Sequence, residues 1–297
     1  MNETVRRLME GAYDVHFHAA PCLSNRRQTI FEVARDARDA GMKGLVVKDH
    51  YFSTAPLAMA TKEVVPEVNV IGGITLNESV GGLNPAAVET TFKLGGRVVW
   101  MFSLESAWML RQISSPDFKS SETYKKLGVK PGQQGYTILL ESGGLKEEAK
   151  EIVSLCKQYD AVLETSHLSP DECYAIIKEA RQQGLRRIVV THANQDVTLY
   201  AVQAQQELIS MGANMMYCMF SYLSKPGEPG KDVKDLGRLI RSVGAGNIVL
   251  GTDFGLFYLP PAVEGIRMMI ATLVDQGFSE EDIKMMVSTN PDNIYGI

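Results

Sequence analysis

Apolar and polar positions along this chain follow two alternating rhythms. Short runs of β-branched and aromatic residues give way, again and again, to longer stretches whose apolar residues recur at helical spacing. The first run is Asp14-Val15-His16-Phe17-His18. As a strand it points Asp14, His16 and His18 to one face and Val15 and Phe17 to the other. Further strands are predicted at 44–50, 68–76, 97–102, 161–167, 187–192, 214–220 and 247–253. Between them the spacing predicts helices over 29–40 and 56–65, a helix opened by Asn84-Pro85 and closed by Gly95-Gly96, and one on Leu145, Ala149, Ile152, Val153 and Cys156, with Cys156 in the core. Ser169-Pro170-Asp171-Glu172 supplies a cap, a first-turn proline and a capping-box carboxylate to the next helix. Later helices are predicted at 196–211, 233–243, 261–275 and 279–287, with Asn290-Pro291 beginning a closing turn.

The beat breaks between Ser103 and Gly144, where the pattern is irregular and only Tyr136 to Leu140 looks extended. A stretch of this length is expected to be a lid or an excursion rather than part of the frame. Eight strand–helix units in one chain of 297 residues predict a single α/β domain over 1–297, a (β/α)8 TIM barrel, with 103–144 inserted after the fourth strand. An open doubly wound sheet is disfavoured, because the first strand-to-helix turn lacks a Gly-x-Gly-x-x-Gly loop.

Composition narrows the function. With 30 basic and 35 acidic residues the chain carries a net charge of −5 and no basic stripe, so no nucleic-acid partner is expected. The start, Met1 to Gly11, reads as a short amphipathic helix, and neither a signal peptide nor a membrane span is evident. The four cysteines, Cys22, Cys156, Cys173 and Cys218, form no Cys-x-x-Cys pair, and a cytoplasmic protein with reduced thiols is expected. Barrels of this size often pair through their outer helices, so a homo-oligomer is compatible with the sequence, although no face marks it.

Histidine placement points to chemistry. All five, His16, His18, His50, His167 and His192, fall at or just past the C-terminal ends of predicted strands, as do Lys48 and Asp253. In a barrel that rim is where active sites lie. Imidazoles and a carboxylate gathered there suit a divalent metal, Zn2+ first, with Mn2+, Ni2+ or Fe2+ also accommodated. Asp14 is expected to orient a ligand, or to pair with a buried Lys48. Lys48 or His50 can steady an oxyanion or fix a substrate carboxylate. Arg26-Arg27, on the loop leaving the first strand, is either a solvated pair or a contact for an anionic substrate. Cys22 and Cys218 near the rim have no partner that marks a nucleophile.

His-x-His after the first strand, one His after the fifth, one after the sixth, Gly251-Thr252-Asp253 late and the closing Asn290-Pro291 together resemble the amidohydrolase superfamily of metal-dependent hydrolases. The resemblance implies that His16, His18 and Asp253 bind one metal. It also implies that His167 and His192 bind a second, or help to hold a single ion and the attacking water, and that Asp253 is the general base. Two-metal members carry a bridging carboxylated Lys or a Glu at the end of the fourth strand. Here that strand runs Trp100-Met101-Phe102-Ser103-Leu104-Glu105, so Glu105 is one candidate bridge, with Lys48 and His50 as others. That departure resembles a small branch of the superfamily with unassigned substrates, and it leaves one metal or two open. The implied activity is hydrolysis of a C–N, C–O or P–O bond in a small molecule. The alternatives are a metal-dependent decarboxylase or lyase, or a barrel that binds metal without catalysis.

Overall fold

The computed structural model describes residues 3–115, 134–198, 200–225 and 228–296. Its strands are β1 (Tyr13–Phe17), β2 (Gly44–Val47), β3 (Asn69–Ile71), β4 (Gly73–Thr75), β5 (Val98–Trp100), β6 (Val162–Glu164), β7 (Ile188–Val190), β8 (Asn214–Cys218) and β9 (Ile248–Gly251). The helices are α1 (Glu3–Met9), α2 (Ile30–Asp39), α3 (Ala55–Val64), α4 (Pro85–Lys93), α5 (Ala107–Ser114), α6 (Glu147–Gln158), α7 (Pro170–Gln182), α8 (Val202–Ser210), α9 (Lys234–Val243), α10 (Ala262–Asp275), α11 (Glu280–Lys284) and α12 (Asn290–Tyr295). None among the described residues is long and apolar enough to cross a membrane.

All strand pairs are parallel and form two sheets, β1-β2-β3 and β4-β5-β6-β7-β8-β9. Only Gly72 separates β3 from β4, so the strand expected over 68–76 changes sheet in mid-course. Gly72 has no room for a side chain, since a Cβ there would lie 2.6 Å from the Thr54 carbonyl oxygen. The far edges also meet. Asp253 donates its N–H to the His16 carbonyl at 2.7 Å, and His18 donates to Phe254 at 2.7 Å, which sets the end of β9 beside β1.

Two apolar layers hold this arrangement. Tyr13, Val15, Val46, Ile71, Val98, Trp100, Val162, Val189, Met216 and Val249, drawn from both sheets, pack into one cluster, with Ile294 and Tyr295 of α12 against it. The alternate strand residues, among them Phe17, Leu45, Val70, Val99, Leu163, Val190 and Leu250, pack against the helices, where Cys156 is buried as expected. Local signals set the helix starts. Thr29 with Glu32 and Ser169 with Glu172 form reciprocal capping boxes on α2 and α7.

Four elements differ from the sequence reading. The irregular stretch contains α5, capped by the Ser106 side chain, with Met109, Leu110 and Ile113 buried at helical spacing. Tyr136 to Leu140 makes only isolated bridges, to Ser106 and Leu145, and residues 116–133 of the expected excursion lie outside the described residues. The helix expected from 196 starts only at Val202, after a turn in which the Thr198 hydroxyl donates to the His192 carbonyl at 2.7 Å. Asn290-Pro291 lies within one helical run, in which a π-helical turn, Met285–Thr289, joins α11 to α12, and it does not begin a turn. Asn290 ties that helix to the sheet, its amide donating to the carbonyls of Ile248 at 2.8 Å and Ala245 at 3.0 Å. Asn290→Ala leaves both carbonyls without this donor, and an unfolding free energy lower by about 1–3 kcal/mol in urea titration is expected.

Candidate metal centre

The site begins with a slip in β1. Tyr13 and Val15 belong to the inner cluster, yet Phe17 packs with the helices, so strict alternation fails, and the pairing with β2 shifts register between Asp14 and Phe17. The expectation that Asp14 shares a face with His16 and His18 is therefore corrected. Asp14 instead joins β1 to β9, accepting hydrogen bonds from the Thr252 hydroxyl at 2.6 Å, the Thr252 N–H at 2.9 Å and the His16 N–H at 3.1 Å. It thus fixes the backbone of His16 and of the residue before Asp253, and it is not the partner of Lys48.

Past the slip, His16 and His18 approach Asp253. His16 Nε2 lies 3.7 Å and His18 Nε2 3.4 Å from Asp253 Oδ1. One ligand atom from each of the three falls within 4.8 Å of the others. His192 adds its ring 4.7 Å from that of His16, and His167 stands 5.2 Å beyond. His50 stacks on His18 at 4.7 Å, its Nδ1 3.0 Å from the Ser103 hydroxyl. His18, Lys48, His50, His167, His192 and Asp253 line one cavity of about 30 Å3 together with Arg26, Leu104, Phe220 and Leu256. Since one water needs about 10–15 Å3, that space suits an ion and a water or two.

The strand ends carry backbone strain at these positions. Ser166, His192 and Asp253 have φ of 51°, 58° and 55°, in the left-handed region that side chains other than glycine disfavour. Each costs about 1–3 kcal/mol and needs its surroundings to hold it. The hydrogen bond from Asp253 N–H to His16 and that from Gln195 Nε2 to Asp253 Oδ2 at 3.1 Å hold the last of them.

Burial sets the charge state of these groups. Burial pushes the His18 and His192 imidazoles down to about 4 and those of His16, His50 and His167 well below their usual value, so all five are neutral at neutral pH. Burial works against charge on Asp253, but His192, the hydrogen bond from His18 and the nearby His16 outweigh it and hold its carboxyl well below the usual range. Among the described residues, both ring nitrogens of His16 are buried without a hydrogen-bond partner. A neutral nitrogen donor without a partner, beside a second imidazole and an ionised carboxylate, is a donor set that fits a divalent cation.

The other expectations sort by position. Glu105 turns away from the cavity, its carboxylate accepting the Glu78 N–H, and it does not reach the site as a bridge. Trp100 instead takes the inward place at the end of β5, its ring 6.1 Å from that of His16. Lys48 is buried with its Nζ 3.3 Å from the Ser166 hydroxyl and 5.8 Å from the centre of the Trp100 ring, and burial lowers it to about 8. Cys218 Sγ lies 3.4 Å from His192 Nδ1, and burial raises this thiol well above its usual value.

Sequence reasoning missed Glu164. It ends β6 fully buried, its Oε2 4.0 Å from His16 Nδ1, held by the hydroxyls of Tyr295 at 2.8 Å and Thr191 at 2.9 Å, and burial raises it to about 7. The available signal was a carboxylate inside the apolar run Ala161-Val162-Leu163-Glu164.

The whole chain resembles several solved structures. An amidohydrolase from Pseudomonas aeruginosa superposes with a TM-score of 0.63 at 13% identity, over 98% of this chain and 97% of that one. A probable dipeptidase, PvdM, from the same organism gives 0.64 at 10% identity over 100% and 98%. The phosphotriesterase homology protein of Escherichia coli, solved with phosphate in its active site, gives 0.58 at 14% over 96% and 98%. At these identities the likeness establishes a shared fold and nothing further. No curated protein matches the sequence. The family model described as Family of unknown function (DUF6282) matches residues 11–216, and the chain belongs to that family.

Proposed function

We propose that this protein is a metal-dependent hydrolase that opens a C–N, C–O or P–O bond of a small molecule, on two sheets that together make one (β/α)8 barrel. The observation that carries this reading is the trio His16, His18 and Asp253, with both nitrogens of His16 buried and unpartnered. His16, His18 and Asp253 would hold the ion, and His167 and His192 line the cavity that His18 and Asp253 also line. A divalent ion bound there lowers the pKa of a coordinated water to about 7 and polarises the substrate oxygen.

The chain's own residues supply the rest. Asp253 Oδ2, already accepting from Gln195, is placed to take a proton from water and pass it to the leaving group. Lys48 and His50 present nitrogen donors to charge that develops on the substrate. Trp100 fills the place where a bridging carboxylate would stand, which supports a single ion, with zinc the first choice by ligand type.

Elemental analysis of protein purified without chelator tests the reading, followed by a panel of p-nitrophenyl ester, lactone, amide and phosphotriester substrates. About one equivalent of metal and a hydrolysis lost to chelator and regained with metal are expected. Protein without metal, or turnover indifferent to chelation, would sink it. Glu164 Oε2 stands 4.0 Å from His16 Nδ1, so with an ion on Nε2 the ring proton on Nδ1 would face this carboxylate, and Glu164→Gln is expected to weaken zinc affinity about 10–100-fold in a competitive chelator titration.

A further inference from the structure

Arg26 lines the cavity on the loop that follows β1. That loop is pinned to the residues after β9, with Arg26 bridged to Leu256 and Arg27 N–H donating to Gly255 at 2.8 Å. Gly255 permits the approach, at φ +144°, where a Cβ would lie 2.3 Å from the His18 carbonyl oxygen. The loop backbone is therefore fixed beside the cavity, and among the described residues the Arg26 guanidinium has no carboxylate within 4 Å. Its contacts are Cys22 Sγ, 3.2 Å from Nε, and His18 Nδ1, 3.4 Å from Nη2. Lys48, the other cation of the lining, likewise has no carboxylate within 4 Å among the described residues. Two cations thus face one carboxylate, Asp253, in a lining whose histidines are neutral.

The contact with His18 is conditional. Guanidinium N–H groups only donate, so Nη2 needs the lone pair on Nδ1, which puts the ring proton on Nε2, the nitrogen facing Asp253. When His18 serves as a metal ligand through Nε2, the proton sits on Nδ1 and Arg26 loses its acceptor. A donor fork at the cavity mouth is then left to find another partner.

We propose that Arg26 selects the substrate, binding the carboxylate of a small anionic molecule whose apolar arm packs on Leu104, Phe220 and Leu256. This rests on the hydrolase reading for its metal, but not for its geometry. The guanidinium fork matches a planar carboxylate side by side.

Calorimetric titration of zinc-loaded protein with butyrate and with butyramide, its neutral isostere, tests the proposal, with metal content measured on every sample. Native protein is expected to prefer butyrate. Arg26→Gln should lose about tenfold in butyrate affinity with butyramide binding and zinc content unchanged, and Arg26→Lys should recover part of the loss. Butyrate affinity unaltered in Arg26→Gln would overturn it, since the carboxylate would then rest on the ion or on Lys48. Equal losses for both ligands would also overturn it, and propyl phosphate binding tighter than butyrate would overturn the carboxylate assignment. A native protein without zinc that still separates butyrate from butyramide through Arg26 would remove the hydrolase reading and leave this one standing.

Discussion

His16→Ala is expected to lower zinc affinity by a factor on the order of 10²–10³, about 3–4 kcal/mol out of the roughly 10–16 kcal/mol with which protein sites hold structural zinc. The same substitution should change the stability of metal-free protein far less. His16 has no hydrogen bond to lose in that state, and its removal relieves two buried nitrogens while leaving a cavity. Urea unfolding of native and variant protein, each with chelator and with excess zinc, separates the two effects. Native protein at about 1,000 times its dissociation constant should gain about 4 kcal/mol, and the variant should gain little at the same free zinc. Turnover should fall with metal occupancy. A variant that still gains the native increment would show that the ion is held elsewhere on the rim, with His167 and His192 as the first place to look.

The frame was legible because a buried parallel sheet writes itself as short apolar runs, and here five of the eight runs ended in a histidine or an aspartate. His18, Lys48, His50, His167, His192 and Asp253 do line one cavity. What stayed hidden depends on registers that no local pattern carries. Period-two alternation put Asp14 beside His16, whereas one register shift in β1 turns Asp14 towards Thr252 and β9. Glu164 was missed because what marks it is Tyr295, more than a hundred positions away, closing over it. Glu105 was weighed as a bridge because strand ends are uncertain by a few residues, and β5 stops at Trp100. The helix at 107–114 was in fact written locally, by Ser106 as its cap and by Met109, Leu110 and Ile113, but the proline, glycine and charge further along drew the whole stretch into one irregular excursion. Arg26 was set down as either a solvated pair member or an anion contact, and its place on the cavity came only with the pinning of its loop to β9.

Asp14→Ala is expected to be among the most destabilising single changes in the molecule, costing about 3–5 kcal/mol in urea unfolding. Asp14 is fully buried, and three donors converge on it, the N–H groups of His16 and Thr252 and the Thr252 hydroxyl. Alanine leaves each donor short of this acceptor away from water, at about 1–3 kcal/mol apiece, partly offset because the carboxylate itself no longer has to be buried. That burial is what pushes the Asp14 carboxyl up to about 7 against the pull of its hydrogen bonds from Thr252 and His16. Asp14→Asn keeps the volume and one acceptor oxygen but turns an amide N–H2 towards donors, so it should recover only part of the loss. Because the lost bonds fix the backbone on either side of the site, zinc affinity should fall in step, although no metal ligand has been touched. A full loss of stability with zinc affinity unchanged would separate the β1–β9 join from the site. Asp14 would then be an anchor of the fold alone, and the placement of His16 against Asp253 would have to come from the inner cluster beneath them.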